Sequence, residues 1–177
     1  MKVRLRIMVA GLGLSVVAVL ALAARGPFPS DEALRARFLT HHADFERLVA
    51  MANEDTRLTR IAPDFTWLDG DVAWPRKDVG ISEERWNDYR QMFRRVGTEE
   101  GVLKGINPGR IIFPISSQGL VPAGSAKGLV YSQASLNPVL KSLDERPPHK
   151  FWDGPDRNHV LVYKPIEKNW YIYYEQW

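Results

Sequence analysis

The side chains that could do chemistry are few and scattered. The histidines are His41, His42, His149 and His159. On a helix, His42 and Glu46 stand four apart and share a face, and His41 and Asp44 stand three apart. Structural or catalytic zinc takes at least three protein ligands, and H-E-x-x-H does not occur, so no metal site is expected. Asp64, Asp69, Asp71, Asp153 and Asp156 fall in loop-like sequence. Paired with His41 or His42, such carboxylates would suit the general acid and base of a hydrolase. Each also suits a turn, where a short acid bonds its own backbone. The hydrolase is therefore an alternative reading, and no catalytic residue is assigned.

Residues 119–131, GLVPAGSAKGLVY, have the composition of a phosphate-cradling loop. Gly119 and Gly124 fit the spacing G-x4-G-K-[ST], but Ser125 and Ala126 stand where the lysine and hydroxyl are needed. The sequence that follows is strand-like, whereas a phosphate loop must feed a helix N-terminus. Neither nucleotide nor any other cofactor is expected. G-x-S-x-G is absent, and no serine is followed by lysine three residues on, which removes two serine-nucleophile patterns. The stretch predicts a hairpin instead. Gly119–Ala123 forms one arm, Gly124–Lys127 the turn and Gly128–Tyr131 the other, with Ser125 and Lys127 in water at the tip.

The C-terminal NWYIYYEQW, residues 169–177, is dense in aromatics. Strand alternation puts Trp170, Ile172 and Tyr174 on one face, with Tyr171, Tyr173 and Glu175 on the other. One face must pack on helices, leaving an aromatic face that could stack on sugar rings or hold a peptide. Tyr171, Tyr173 and Trp177 are the candidate ligand-binding residues.

The elements that would position these groups follow from patterning. The chain has 177 residues, 45% hydrophobic and 25% charged, which suits one folded domain with an appendage. Three of its 24 basic residues, Lys2, Arg4 and Arg6, precede an uncharged run over 7–24. Without them the remainder is balanced against 21 acidic residues, so no basic patch for nucleic acid is expected. Residues 1–6 read as a cytoplasmic tip and 7–24 as an inner-membrane anchor or a signal peptide cleaved before Ala24. Eighteen helical residues rise about 27 Å, enough to span a thin bilayer. Residues 25–29 read as a linker and 30–177 as the exported domain, periplasmic in either case. Cysteine is absent, which excludes disulfides and thiol catalysis.

Within that domain, Ser30 caps an amphipathic helix of about 24 residues running to Asn53. Ser82 opens a second, stopped by Gly97. Strand-like segments follow at 110–115, 119–122, 127–132, 159–166 and 169–175, with shorter ones near 58–61 and 64–68. The expected fold is α+β, with two helices on one face of an antiparallel sheet of four to five strands, preceded by the N-terminal apolar helix.

HHADFERLVAMANED (41–55), ISEERWNDYRQMFRRVG (81–97), GLVPAGSAKGLVYS (119–132) and YKPIEKNWYIYYE (163–175), in that order behind an apolar N-terminus, resemble a group of small uncharacterised bacterial envelope proteins with no established activity. The resemblance implies an envelope location and no functional residue. The sequence thus points to a non-enzymatic exported module that binds a protein or cell-wall glycan through a sheet face. An inhibitor or immunity-type protein is a further alternative.

Overall fold

A computed structural model describes residues 28–177 apart from 75–77, 99, 106–108, 121–122, 146, 148–151 and 154–158, with the backbone alone of Leu120, Trp152 and Asp153. The first helix among the described residues is α1 (Asp31–Thr40), followed by α2 (His42–Glu54). The Ser30 hydroxyl caps α1 by accepting the Ala33 N–H, as its sequence predicts. The single long helix expected over 30–53 is instead two. The break is at His41, whose backbone (φ −116°, ψ 24°) leaves the helical region. Thr40 contributes, because its hydroxyl bonds back to the Ala36 carbonyl at 2.9 Å, a contact that bends helices. The break lets Phe38 and Phe45 both reach Trp170, with ring centroids 4.9 and 5.8 Å away. Helix α3 (Glu83–Val96) runs from the Ser82 cap to Gly97, which takes φ 72°.

The strands are β1 (Leu58–Ile61), β2 (Thr66–Leu68), β3 (Asp71–Ala73), β4 (Val102–Lys104), β5 (Arg110–Leu120), β6 (Ala123–Ser132), β7 (Trp152–Asp153), β8 (His159–Glu167) and β9 (Trp170–Gln176). They form one nine-stranded antiparallel sheet in the order β3-β2-β1-β4-β5-β6-β9-β8-β7. This overturns the expected architecture of two helices on four to five strands. Among the described residues there are three short helices, and sheet dominates. The short strands expected near 58–61 and 64–68 are β1 and β2, but β3, β4 and β7, of two or three residues each, carry too little alternation to register in sequence. No helix among the described residues is long and apolar enough to cross a membrane. The expected apolar helix over 7–24 lies outside them.

The three helices cover one face. Leu34, Phe38, Phe45, Leu48, Trp86 and Phe93 pack there on Phe113, Leu129, Trp170 and Ile172. Trp170 is the centre of an aromatic cluster with Phe38, Phe45, Phe113 and Tyr131, and its indole N–H donates to Glu46 Oε1 at 2.6 Å. The sheet bends at a bulge after Pro114, opposite Gly128. A Cβ on Gly128 would collide with the Phe113 carbonyl, so only glycine allows that approach.

After β6 the chain crosses the helix-free face, where Leu136 packs with Val130, Tyr163 and Tyr173 in a second, smaller core. It then follows the edge of β8, with Leu140 N–H donating to the Tyr163 carbonyl at 2.8 Å and Tyr163 N–H to the Pro138 carbonyl at 3.0 Å. It arrives on the helix side, where Leu143 joins the main core.

Candidate functional site

The glycine-rich stretch is the first surprise. Gly119↔Gly124 and Leu120↔Ala123 are strand pairs rather than arm and turn. Lys127, expected in water at a turn, is instead 1% exposed in the middle of β6. It shares a face with Leu129, and alternation along a strand ten residues long aims both at the helices. Its ammonium lies 2.9 Å from Asp31 Oδ1 and 2.8 Å from Asp144 Oδ1. The Asp31 contact is an ion pair rather than an aligned hydrogen bond. Asp31 Oδ2 accepts from Lys164 Nζ and from the Leu143 N–H, each at 2.9 Å, and Asp144 Oδ1 also accepts the Asp31 N–H at 2.7 Å. Burial opposes the charge on Asp31, but the Leu143 N–H and the two ammoniums outweigh it and hold the carboxyl below its ordinary value. Every member of the cluster is paired, so it locks the start of α1 to β6, β8 and the 143–144 turn.

A second polar cluster is also structural. Asp55 Oδ2 accepts from the Tyr89 hydroxyl at 2.7 Å and Arg85 Nε at 3.0 Å, and Lys104 Nζ donates to the Asp55 carbonyl at 2.6 Å. These bonds tie the end of α2 to α3 and β4. Burial, then the Asp55 carboxylate, pushes the Tyr89 phenol well above its ordinary range.

The histidines do not gather the loop acids. His41 Nδ1 lies 3.5 Å from Asp44, and His42 Nε2 lies 2.9 Å from Glu167 and 3.9 Å from Glu46. His159 pairs with Glu175 at 3.2 Å. Asp69 is held by Arg57 at 2.6 Å, and Asp64, in a turn, and Asp71, at the start of β3, are exposed without an ion pair to either histidine. The side chain of Asp153, and all of Asp156 and His149, lie outside the described residues. Among the described residues no three potential ligands cluster for a metal ion.

The helix-free face remains. The terminal strand puts Trp170 and Ile172 in the main core, so Tyr171, Tyr173 and Trp177 project to the opposite face. Their surroundings differ. Tyr173 is 3% exposed beneath Leu136, so its ring offers no surface. Tyr171 is half-buried, its ring edge-on to Tyr163 at 6.3 Å. Trp177 is 40% exposed and lies across Gly124, with which it exchanges two backbone hydrogen bonds of 3.0 Å.

Strand register extends this face further than the terminal strand suggests. Val72, Trp67, Arg60, Leu103, Ile112, Val130 and Tyr171 are successive partners across seven neighbouring strands. Leu136 covers Val130 and walls the row off there, and Ile112 borders that second core. Five strands span about 19 Å. At the outer end Val72 and Trp74 are 45% and 53% exposed, and Trp74 leans on Phe65 at 5.2 Å. The Arg60 guanidinium lies over the Phe65 and Trp67 rings at 5.1 and 5.6 Å, with Glu100 3.5 Å away. At the walled end Arg110 lies over the Tyr163 ring at 5.8 Å. The electrostatics agree with this placement. Burial raises the Tyr163 and Tyr173 phenols, Arg110 moderates the first and Arg60 the second, and Glu175 acts on both. Arg60 Nε, Trp67 Nε1 and Arg110 Nε are buried donors without an acceptor.

No protein family, curated protein or solved structure matches this chain.

The residues that sequence reasoning missed are Arg60, Phe65, Trp67, Trp74 and Arg110. The available signal was alternation in FTWLDGDVAW, residues 65–74, where Phe65, Trp67, Val72 and Trp74 fall on one face of a two-strand ribbon.

Proposed function

We propose that this chain is a non-enzymatic binding module of the bacterial envelope that holds a cell-wall glycan on the helix-free face of its sheet. The observation that carries the reading is the Val72–Trp67–Arg60–Leu103–Ile112 track with Trp74 beside it. A ligand lying along this track crosses the strands. It has no access to the ladder's backbone groups, so side chains alone recognise it, which disfavours an added peptide strand. Half-exposed aromatic rings offer flat apolar faces, and arginines laid on rings offer donors, a combination suited to sugar rings with hydroxyls at their rims. The exposed apolar side chains of Val72 and Trp74, at the end of a partly buried row, are also costly to leave bare without a use. The envelope location rests on the basic tip and apolar run of residues 1–24 and on the resemblance noted above.

The test is binding of N-acetylglucosamine oligosaccharides to the full-length protein by calorimetry. Trp74→Ala and Trp67→Ala should each weaken binding about tenfold or more, as anchors at an interface do. Trp177→Ala, at the far hairpin tip, should change it little. Unchanged affinity in a folded Trp67→Ala/Trp74→Ala double variant would remove the reading.

A further inference from the structure

Arg110 is unlike the other basic side chains. It is the one partly buried cation among the described residues that has neither a carboxylate nor a hydrogen-bond acceptor. Arg37 donates to the Gly97 carbonyl, Lys104 to the Asp55 carbonyl, and Arg60, Arg85, Arg90, Lys127 and Lys164 all have acids. Basic side chains lacking both, such as Arg35, Arg47 and Arg94, are exposed, where water solvates them. Arg110 has lost part of that water. Its Nε is buried without a partner, and the Tyr163 ring supports the guanidinium plane from one side. A desolvated, unpaired guanidinium is costly unless an anion completes it. Its planar fork, pre-positioned on a ring, suits bidentate capture of an oxyanion.

We propose that Arg110 is an oxyanion-binding residue, and that the glycan this face takes is anionic, bearing a carboxylate or phosphate ester that docks at the walled end of the track. The inference rests on the glycan reading above. The position is consistent with it: Arg110 is two residues along β5 from Ile112, on the same face as that last position of the track. Glu175 pairs with His159, and Glu100 with Arg60, so neither neutralises Arg110.

Two measurements separate this inference from the one beneath it. In the first, the full-length protein is titrated with a neutral N-acetylglucosamine tetrasaccharide and with one alternating N-acetylglucosamine and glucuronate. The acidic sugar should bind about tenfold tighter or more. Arg110→Gln should abolish that preference, so that both tetrasaccharides bind alike, and an unchanged unfolding midpoint reports that the variant is folded. Arg110→Lys should restore only part of it, because an ammonium lacks the fork. In the second, the Arg110 Nε–H resonance is followed while glucose, glucuronate or glucose 6-phosphate is added. A shift with either acid and none with glucose supports the proposal, and the acid that acts identifies the group. Equal affinity for both tetrasaccharides, or a preference that survives Arg110→Gln, overturns the anionic ligand and leaves the glycan reading standing. Loss of binding to both sugars in the unmodified protein overturns the two together.

Discussion

Lys127 and Asp31 form an ion pair of 2.9 Å in which the side chains are 2% and 3% exposed. It joins a strand in the centre of the sheet to the first residue of α1. Removing one partner leaves a buried charge uncompensated, at a cost of about 3–5 kcal/mol. Lys127→Met should therefore lower the urea midpoint sharply, and adding Asp31→Asn should recover part of the loss. If the two changes were simply additive, the pair would not be coupled as its geometry requires.

The same carboxyl sets an acid limit. Unfolded, Asp31 titrates near the ordinary 3.8, and in the fold it titrates lower. Between those values the unfolded chain binds the extra proton, so stability rises with pH there. The contribution is fully present above the unfolded value and is lost as pH falls through the folded one. Thermal unfolding between pH 5 and 2 should show a shallower acid decline for Asp31→Asn than for the unmodified protein. Parallel curves would remove Asp31 from the acid transition.

Gly128 is needed for backbone approach rather than flexibility. Gly128→Ala would drive a methyl into the Phe113 carbonyl at the bulge that bends β5. The expected loss is about 2 kcal/mol or more, within the range of overpacked cores. An unchanged denaturation midpoint would mean that the bulge relaxes freely.

Tyr89 and Asp55 make the hydrogen bond that joins α3 to the end of α2. Tyr89→Phe leaves Asp55 with Arg85 but without the phenol, and should cost about 1–2 kcal/mol. Because the bond is to a carboxylate acceptor in a buried setting, ultraviolet titration should show one tyrosine fewer ionising late in Tyr89→Phe. A variant as stable as the original would show that the bond contributes nothing net.

Trp74 separates binding from stability. Its ring is exposed and rests on Phe65. Trp74→Ala should leave unfolding within about 0.5 kcal/mol, as for surface positions, while weakening glycan binding. A large loss of stability would mark it as a structural residue.

Local signals in the sequence were sufficient where a residue's role depends on near neighbours. Ser30 and Ser82 cap helices and Gly97 ends one because those bonds close within a turn. The split of the terminal strand, with Trp170 and Ile172 on one face and Tyr171 and Tyr173 on the other, follows from alternation alone. The same rule, applied over GSAKG as strand rather than turn, would have put Lys127 on the core side. Composition overrode it, since glycine and serine suit a turn as well as a bulged strand.

What the sequence by itself determined was therefore the faces of its longer elements, their caps, and the absence of the catalytic patterns it was tested against. The tertiary structure alone decided which face is covered. Leu136 buries Tyr173 from a loop that returns across the sheet. Strand order brings Trp67, Arg60, Leu103 and Ile112 into one row from segments up to 52 residues apart. Asp31 meets Lys127 across 96 residues of chain. Such pairings are fixed by the register of one nine-stranded sheet, a collective minimum of packing and ladder hydrogen bonds. No short window of residues encodes it, so the site it assembles becomes legible only once the strands are in place.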